Sequence, residues 1–412
     1  MPHFGGEIGN TVIDMSQVKR GREFLHTPGP TNIPDRLLRA MHRPAVDFSG
    51  PVFTALARSC FEDLKPIFRC AGPVFIYAAS GHGAWEAALA NTLSPGDRVI
   101  VPETGNFSAS WSRMAEALGI VVDYLPGDWR HGIDPSAVEA RLVEDKARAV
   151  KAVLMVHTDT ATGITSDVPA VRRAIDSAGH PALFMVDTIA SLGTVDFCMD
   201  DWQVDVAVGA SQKGLMLPPG LSFTAVSEKA IQVGRETTMP RNYWDWRERL
   251  TEEQYIRFCG TAPEHLIYGL REAIDMVMEE GLEAIFTRHQ RLADAVRQAV
   301  GVWGEDGDVS FNALVPAERA NSVTTVLVPD GFDGEQVRAV CRERFGVSLG
   351  GGLARLQGRA FRIGHMGDLN EPMILGALAG VEAGLQVCGI PYRPGGVTAA
   401  IDFLAQTTLP LD

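Results

Sequence analysis

The sequence predicts an α/β fold: a mostly parallel, doubly wound sheet followed by a smaller C-terminal α+β domain. The chain has 412 residues, 46% of them hydrophobic, which is enough for a large core and two domains. Between about residues 50 and 230, helical patterns alternate with short apolar runs, the order expected of parallel strands joined by crossover helices. A helix-rich stretch at 263–300 then leads into one strand near 322–328, which predicts the smaller domain.

The elements follow one another as an arm, a large domain and a small domain. Residues 1–23 are polar and aperiodic, so we predict an N-terminal arm. The large domain is predicted at 24–290 and the small domain at 291–412. Within the large domain the apolar runs predict strands at 74–79, 98–102, 119–125, 150–156, 182–187, 204–210 and 221–226.

Charge and cysteine usage limit the class of protein. With 37 basic and 51 acidic residues the net charge is −14, which disfavours binding to nucleic acid or an anionic membrane but allows a local cationic pocket. The six cysteines have no C-x-x-C or zinc spacing, which predicts free thiols and no metal site. No apolar run reaches the roughly 18 residues of a membrane helix, and the first residues lack a signal-peptide core. We therefore predict a cytoplasmic metabolic protein with small-molecule partners.

Lys213 is a lone lysine within a segment of small, apolar and helix-breaking residues, 211–220. An amine that attacks an aldehyde has to lose its proton near neutral pH, and desolvation or a nearby cation lowers its pKa far enough. The alternative is a solvated lysine on a surface turn, which is the commoner situation for this residue type. A second residue is needed to decide between the two interpretations.

Asp187 supplies that second residue. It follows the apolar run 181–186, which is typical of a buried parallel strand. Because ligands bind outside the carboxyl ends of such strands, Asp187 and Lys213 are expected to face one crevice, although an aspartate here can equally be a helix N-cap. The pair suits pyridoxal 5'-phosphate (PLP): the lysine binds the cofactor aldehyde as a Schiff base, and the aspartate keeps the pyridine nitrogen protonated.

Residues 77–89 have the pattern of a strand, a glycine turn and a helix. Glycines let the backbone approach a phosphate, the helix N-terminus offers free N–H groups, and the Ser80 hydroxyl adds a donor. A dinucleotide site is the competing interpretation, because Gly81 and Gly83 fit the start of G-x-G-x-x-G and a carboxylate ends the next strand. Glu86 occupies the third glycine position, where a bulky side chain prevents close helix packing. The segment therefore favours a phosphate cradle over an NAD site.

Six segments of the chain resemble the class V aminotransferases, specifically their serine–glyoxylate and alanine–glyoxylate branch. The segments are 28–34, 79–88, 127–132, 211–220, 243–246 and 361–365. They occur in the order and at the spacing of the family, and the likeness covers roughly residues 21–406. The resemblance implies the fold-type I PLP-dependent transferase fold and a homodimer whose active sites lie at the subunit interface.

The resemblance also implies roles for individual residues. Lys213 is expected to bind the cofactor aldehyde and Asp187 its pyridine nitrogen. Contacts around the cofactor phosphate are implied for Ser80, Gly81, His82 and Gln212. Thr160 is implied to contact the cofactor hydroxyl, and Phe107 the face of the ring. Thr261 is implied to contact the cofactor of the neighbouring subunit. Arg362, together with Gly29, is implied in substrate binding, because a guanidinium can make two parallel hydrogen bonds to an α-carboxylate.

Three segments depart from the family pattern. Residues 157–163 read HTDTATG where the family commonly has HNETSTG, so an amide and a longer carboxylate are replaced. Phe258 stands in place of a tyrosine that contacts the phosphate, and the lost contact is worth about 1 kcal/mol. Glu264 and His265 replace neutral residues, and they either touch the donor pocket or begin a helix. These departures leave the amino donor open.

The predicted reaction is a ping-pong transamination from a small amino acid to glyoxylate, giving glycine and a 2-oxo acid. L-Serine, which gives hydroxypyruvate, is the first choice of donor; L-alanine, L-aspartate, 3-hydroxyaspartate and ureidoglycine remain alternatives, as does pyruvate as the acceptor. A PLP-dependent lyase or cysteine desulfurase would need a nucleophilic cysteine, for which Cys259 and Cys341 have no motif. A non-catalytic protein of the same fold would be expected to have lost Lys213, Asp187 or Arg362, and all three are present.

Overall fold

The computed structural model describes residues 21–306 and 309–407, so most of the predicted arm lies outside the described residues. Within these ranges the strands are β1 (Phe24–His26), β2 (Val74–Tyr77), β3 (Arg98–Pro102), β4 (Val121–Leu125), β5 (Val150–Val156), β6 (Thr158–Asp159), β7 (Ile164–Thr165), β8 (Leu183–Asp187), β9 (Val206–Ala210), β10 (Ser222–Val226), β11 (Ser310–Phe311), β12 (Val323–Leu327), β13 (Val347–Gly351) and β14 (Ala360–Gly364).

The α-helices of the same ranges alternate with these strands in the first half of the chain, and the longest of them, α11, lies in the second half. They are α1 (Asp35–Met41), α2 (Pro51–Phe68), α3 (Gly81–Thr92), α4 (Asn106–Ala117), α5 (Pro135–Glu144), α6 (Val168–Ser177), α7 (Glu228–Gly234), α8 (Trp246–Arg249), α9 (Gln254–Arg257), α10 (Glu264–Glu280), α11 (Leu282–Trp303), α12 (Gly334–Phe345), α13 (Glu371–Val387) and α14 (Gly396–Gln406). Both long helices of the predicted helix-rich stretch, α10 and α11, are present.

The larger sheet has seven strands in the order β2-β10-β9-β8-β5-β3-β4. β10 runs antiparallel to both of its neighbours, and the other pairs are parallel. The predicted mostly parallel, doubly wound sheet is therefore confirmed, and the predicted strands are all present, some of them shorter by a few residues.

Helices cover both faces of this sheet, which explains why its strands read as continuous apolar runs rather than alternating ones. Successive residues of β8 point to opposite faces. Phe184 and Val186 belong to one core, which is shared with α2 and α10, whereas Leu183 and Met185 belong to a second core shared with α3 and α4. Two apolar layers thus fix the sheet, and polar groups at the ends of its strands are held in place.

The smaller sheet has the order β1-β13-β14-β12-β11, and β12 is the strand predicted near 322–328. β1 pairs with β13 in parallel, with Phe24 opposite Val347, so the first strand of the chain lies in the second sheet. Helix α11 runs through residue 290. For both reasons the domain division at 290 and 291 stays a prediction. No helix within 21–306 and 309–407 combines the length and apolarity needed to cross a bilayer.

Candidate active site

A cavity of about 170 Å³ opens at the carboxyl ends of β5, β8 and β9. Nine of the residues singled out in the sequence line it: Gly29, Ser80, Gly81, His82, Phe107, Thr160, Asp187, Gln212 and Lys213. Pro30, Trp85, Thr158, Ile189, Ala190 and Pro219 complete the lining. The sheet topology explains why these residues from separate segments line one cavity, because parallel strands bring their carboxyl ends to the same edge of the sheet. Arg362 and Thr261 are not part of this lining.

The Lys213 side chain is buried in the cavity wall, three residues after β9 ends. The pKa of its amine is lowered to about 8, mainly by burial and also by the Arg362 charge, against the opposing effect of the Asp187 charge. The Nζ atom donates a hydrogen bond to the carbonyl of Pro28. Gly29 has φ +98°, and a Cβ there would lie 2.6 Å from the Lys213 side chain, so only glycine fits beside the amine.

Asp187 ends β8 and is buried. Its Oδ1 accepts a hydrogen bond from the Ile189 N–H (2.7 Å), and its Oδ2 accepts one from Trp85 Nε1 (3.1 Å). Burial nevertheless raises the pKa of this carboxyl to about 7. A cation placed next to Asp187 would favour its ionised form, and a protonated pyridine nitrogen is such a cation.

Trp85 is a site residue to which the sequence analysis assigned no role. Its side chain is fully buried on α3, stacks on Trp111 at 5.7 Å, and meets Phe107 edge-on at 6.4 Å between ring centroids. A tryptophan on the apolar face of a helix normally indicates only core packing. Its bond to Asp187 joins residues 102 positions apart, so no local pattern could have revealed it.

The glycine turn before α3 has the geometry of an anion site. Ser80 is the N-cap of α3, but its side chain makes no capping hydrogen bond, so the hydroxyl and the N–H groups of Gly81 and His82 remain available, whereas the Gly83 N–H bonds to the Ser80 carbonyl (2.9 Å). A Cβ on Gly81 would lie 2.4 Å from Ile189 Cδ1, and one on Gly83 would lie 2.8 Å from Trp244 Cη2. The closely packed wall therefore requires glycine at both positions.

Arg362 lies on β14 and contacts Thr160, a residue of the cavity lining. Its Nε donates to the Gly351 carbonyl (2.6 Å) and its Nη1 to the Thr160 carbonyl (2.9 Å). Burial lowers the pKa of the guanidinium to about 10, so the group is still a cation at neutral pH. A guanidinium has five N–H donors, and two carbonyl partners leave donors for a carboxylate.

The structure places two of the three departures, together with the nearby Thr261, away from the cavity lining. Phe258 is buried against Phe61, with ring centroids 5.6 Å apart, so its ring fills the core of its own chain. Glu264 begins α10 and accepts a hydrogen bond from the Val46 N–H (2.8 Å), which agrees with the helix-start interpretation. Thr261 is exposed, outside the cavity lining.

The remaining departure, in residues 157–163, includes Asp159, which is fully buried, and burial raises the pKa of its carboxyl to about 6. It accepts a hydrogen bond from the Phe107 N–H (2.8 Å) at the start of α4. In the sequence Asp159 is recognisable only as a shorter acid at the position of a glutamate. Its contact with α4 links it to the cavity through Phe107.

The residues at this site fit PLP on observations of the cavity itself. Gln212 Oε1 is buried without a hydrogen-bond partner among the described residues, which leaves an acceptor for a bound polar molecule. The lysine, the carboxylate and the glycine cradle line the same cavity. An aldehyde, a protonatable ring nitrogen and a phosphate are the complementary groups.

Comparisons with known proteins agree with this chemistry. The Aminotransferase class-V family model matches residues 74–360. A serine–glyoxylate aminotransferase of Methylorubrum extorquens is 44% identical, over 94% of this chain and 98% of its own length. An L-aspartate–glyoxylate aminotransferase of Paracoccus denitrificans is 39% identical, over 93% of this chain and 96% of its own.

A solved structure confirms the fold. The ureidoglycine–glyoxylate aminotransferase of Bacillus subtilis superimposes with a TM-score of 0.85 at 29% identity, over 94% of this chain and all of the other. The chain therefore belongs to the class V aminotransferases, and it is a PLP-dependent aminotransferase with the fold-type I architecture.

Proposed function

We propose that this aminotransferase transfers the amino group of L-serine to glyoxylate, giving hydroxypyruvate and glycine. The observation that carries the proposal is the set of residues at the cavity. One lysine and one buried aspartate line it, and one arginine bonds to the lining residue Thr160. The similarity to the Methylorubrum enzyme supports the same donor and acceptor.

The charges at the cavity favour a donor with one carboxylate. Among the described residues that line it, Lys213 is the only lysine or arginine, and His82 is the only histidine. Arg362 is therefore the group proposed to bind the α-carboxylate, with Gly29 beside the substrate. A dicarboxylate donor such as L-aspartate would bring a second negative charge without a second guanidinium in the lining, and this favours L-serine.

Lys213 and Asp187 carry the chemistry in this proposal. PLP, when bound, supplies an electron sink for the charge that develops at the amino acid Cα. Lys213 Nζ removes the Cα proton as general base and returns a proton as general acid, a role suited to an amine with a pKa near 8. The Asp187 carboxylate would keep the pyridine nitrogen of a bound cofactor protonated.

The remaining residues hold and orient the cofactor. Ser80, Gly81, His82 and Gln212 are proposed to contact the phosphate and its surroundings, and Thr160 is proposed to contact the ring hydroxyl. Phe107 is proposed to pack on the ring face, where an aromatic side chain both orients the ring and excludes water.

Thr261 is proposed to act from a second copy of the chain. Its exposure in the single chain is compatible with a contact across the interface of a homodimer, and its distance from the lining of its own cavity agrees with that role. The homodimer itself and a cytoplasmic location stay predictions. Sedimentation or light scattering of the PLP-loaded protein measures the first.

The alternatives differ in substrate rather than in fold. L-Alanine, L-aspartate, 3-hydroxyaspartate and ureidoglycine are the other donors, and pyruvate is the other acceptor. A lyase or cysteine desulfurase has less support, because neither Cys259 nor Cys341 lines the cavity in the part of the chain that the structure describes. Burial also raises the pKa of the Cys341 thiol to about 12, which suppresses the nucleophilic thiolate.

Product analysis tests the proposal. The PLP-loaded protein is incubated with glyoxylate and each donor separately, and glycine and the matching 2-oxo acid are measured. We expect glycine to form fastest with L-serine, together with hydroxypyruvate. Faster turnover with another donor would move the substrate assignment to that donor, and no glycine with any donor would contradict glyoxylate as the acceptor.

A further inference from the structure

The turn at residues 160–163, named here the seam turn, joins the two sheets. Each of its four carbonyl groups accepts a hydrogen bond from the C-terminal part of the chain. The donors are Arg362 Nη1 to Thr160 (2.9 Å), Thr325 Oγ1 to Ala161 (3.3 Å), Asn312 Nδ2 to Thr162 (3.0 Å) and the Ala320 N–H to Gly163 (2.9 Å). The position of Arg362 relative to the cavity therefore depends on the position of the seam turn.

Asp159 precedes the seam turn and connects it to α4. Its Oδ1 accepts from the Ala161 N–H (3.0 Å) within the turn, and its Oδ2 accepts from the N–H groups of Phe107 (2.8 Å) and Ser108 (3.4 Å). These are among the first N–H groups of α4, which have no partner within the helix, and a negative charge is favourable there. One carboxylate thus binds the seam turn with one oxygen and the helix that carries Phe107 with the other.

The fit around this carboxylate is close. A Cβ on Gly105 would lie 2.5 Å from Asp159 Cγ, so α4 can approach the carboxylate only because residue 105 is glycine. Within the described residues all three hydrogen-bond donors to the Asp159 side chain are backbone N–H groups, which specify a position rather than a charge pair.

We propose that Asp159 is more than a helix cap: it is a positioning residue that fixes Phe107 and the seam turn relative to each other. One buried carboxylate then sets both the aromatic contact to the cofactor and the arginine contact to the substrate. The inference rests on the roles proposed above for Phe107 and Arg362. Asp159 also acts through space: its negative charge raises the pKa of Lys213 and of Arg362, against the effect of their burial.

Two substitutions separate the geometry from the charge. Asp159→Asn removes the charge and one acceptor. Asp159→Glu keeps the charge but adds a methylene where Gly105 leaves no room, which displaces α4 from the seam turn. Asp167→Asn is the matched control, because Asp167 also caps a helix, accepting from the Ala170 N–H (2.8 Å) at the start of α6, but it is exposed and outside the cavity.

Three quantities are measured on the full-length protein: the Kd of PLP for the cofactor-free form, the pH midpoint of the absorbance of the lysine-bound cofactor, and the KM of the amino donor. For Asp159→Asn we expect a Kd roughly 10-fold higher, the effect of one lost hydrogen bond to a charged group, together with a higher KM and a midpoint shifted to lower pH. For Asp159→Glu we expect the higher Kd and KM without the shift in midpoint.

The control decides between positioning and mere capping. If Asp159→Asn changes thermal stability as Asp167→Asn does, but leaves the Kd, the midpoint and the KM at wild-type values, the positioning role is wrong. A Kd that rises while KM stays unchanged would also contradict it, because the link to Arg362 would be absent. The Kd and the midpoint are read without any donor, so a preference for a donor other than L-serine contradicts the proposed function and not this inference.

Discussion

Two regions with buried titratable groups differ in what their hydrogen bonds leave free. In the first, called here the histidine region, His289 on α11 and His365 just after β14 are fully buried, and both ring nitrogens of each have a partner. His289 bonds to the Ile285 carbonyl (2.8 Å) and the Gly367 N–H (3.0 Å), and His365 bonds to Thr324 Oγ1 (2.9 Å) and the Asn321 carbonyl (2.9 Å). These rings have no ring nitrogen left to hydrogen-bond to a ligand.

The cavity at the large sheet is the opposite case. Gln212 Oε1 is buried without a partner, and Arg362 has N–H donors beyond its two carbonyl bonds. Burial shifts pKa values in both regions, so a shifted pKa alone does not identify a site. Free hydrogen-bonding capacity next to an opening distinguishes the cavity from the histidine region.

The largest expected effect is the loss of Lys213. In Lys213→Ala the cavity keeps its phosphate cradle but has no amine to move the Cα proton, so turnover should fall by at least roughly 10³-fold. Steady-state turnover with the best donor measures this loss, and Lys146→Ala, at an exposed loop position, is the control. Substantial activity in Lys213→Ala would remove the proposed distinction between the two regions.

The next effect tests the hydrogen bond between Trp85 and Asp187. Trp85→Phe keeps an aromatic ring but removes the donor to Oδ2, so kcat should fall about 10-fold or more, the effect of a hydrogen bond to a charged group. Trp111→Phe is a matched control, because Trp111 Nε1 is buried without a partner among the described residues and loses no bond. Equal effects of the two variants would mean that the aromatic packing matters and the bond does not.

The histidine region should determine how stability depends on acid. Burial lowers the pKa of His289 to about 3 and that of His365 well below its usual value. The unfolded chain binds protons below about pH 6.5 that these folded rings exclude, so their contribution is complete above that pH and is lost as the pH falls. Below about pH 6.5 the slope that each ring contributes should approach about 1.4 kcal/mol per pH unit, and it should vanish above that pH, as measured by urea unfolding between pH 5 and 8. A flat profile contradicts this.

In the cofactor-free protein Asp187 should change stability with pH in the opposite direction to the two histidines. Burial raises its pKa from 3.8 to about 7, so between these values the folded chain holds a proton that the unfolded chain has released. Its contribution to stability therefore falls as the pH rises from about 4 to 7. The stability of Asp187→Asn relative to the wild type should increase over this range in urea unfolding, and a constant difference would contradict the assignment.

The smallest expected effect concerns Thr261. If its hydroxyl reaches the phosphate in a partner subunit, Thr261→Val should weaken PLP binding by about 1 kcal/mol, or roughly 5-fold in Kd. Thr251→Val, a replacement of the same shape elsewhere, is the control. An unchanged Kd in a dimer of normal stability would remove Thr261 from the site.

Much of the fold could be predicted from the sequence because its signals are local. The strands of the large sheet are short apolar runs between turn residues, and the order of runs and helices is enough to predict a parallel sheet. The pairing of β1 with β13 was not predictable in this way, because it depends on a partner more than 300 residues away.

The candidate site divides along the same line. Lys213, Asp187 and the glycine turn have local signatures, and the topology then brings them to one cavity. Other features of the site join distant segments of the chain. They are the bond from Trp85 to Asp187, the contacts of Asp159 with α4, and the bond from Arg362 to Thr160. The sequence alone therefore suggests which groups react, whereas the structure is needed to identify what positions them.

The desolvated amine of Lys213 is proposed to be the group that binds the cofactor. The most direct measurement is borohydride reduction of the PLP-loaded protein, followed by proteolysis and mass spectrometry of the peptides. We expect the added mass of the reduced cofactor on Lys213 and on no other lysine. Modification of a different lysine, or a protein that holds PLP without any modified lysine, would mean that Lys213 does not bind the cofactor.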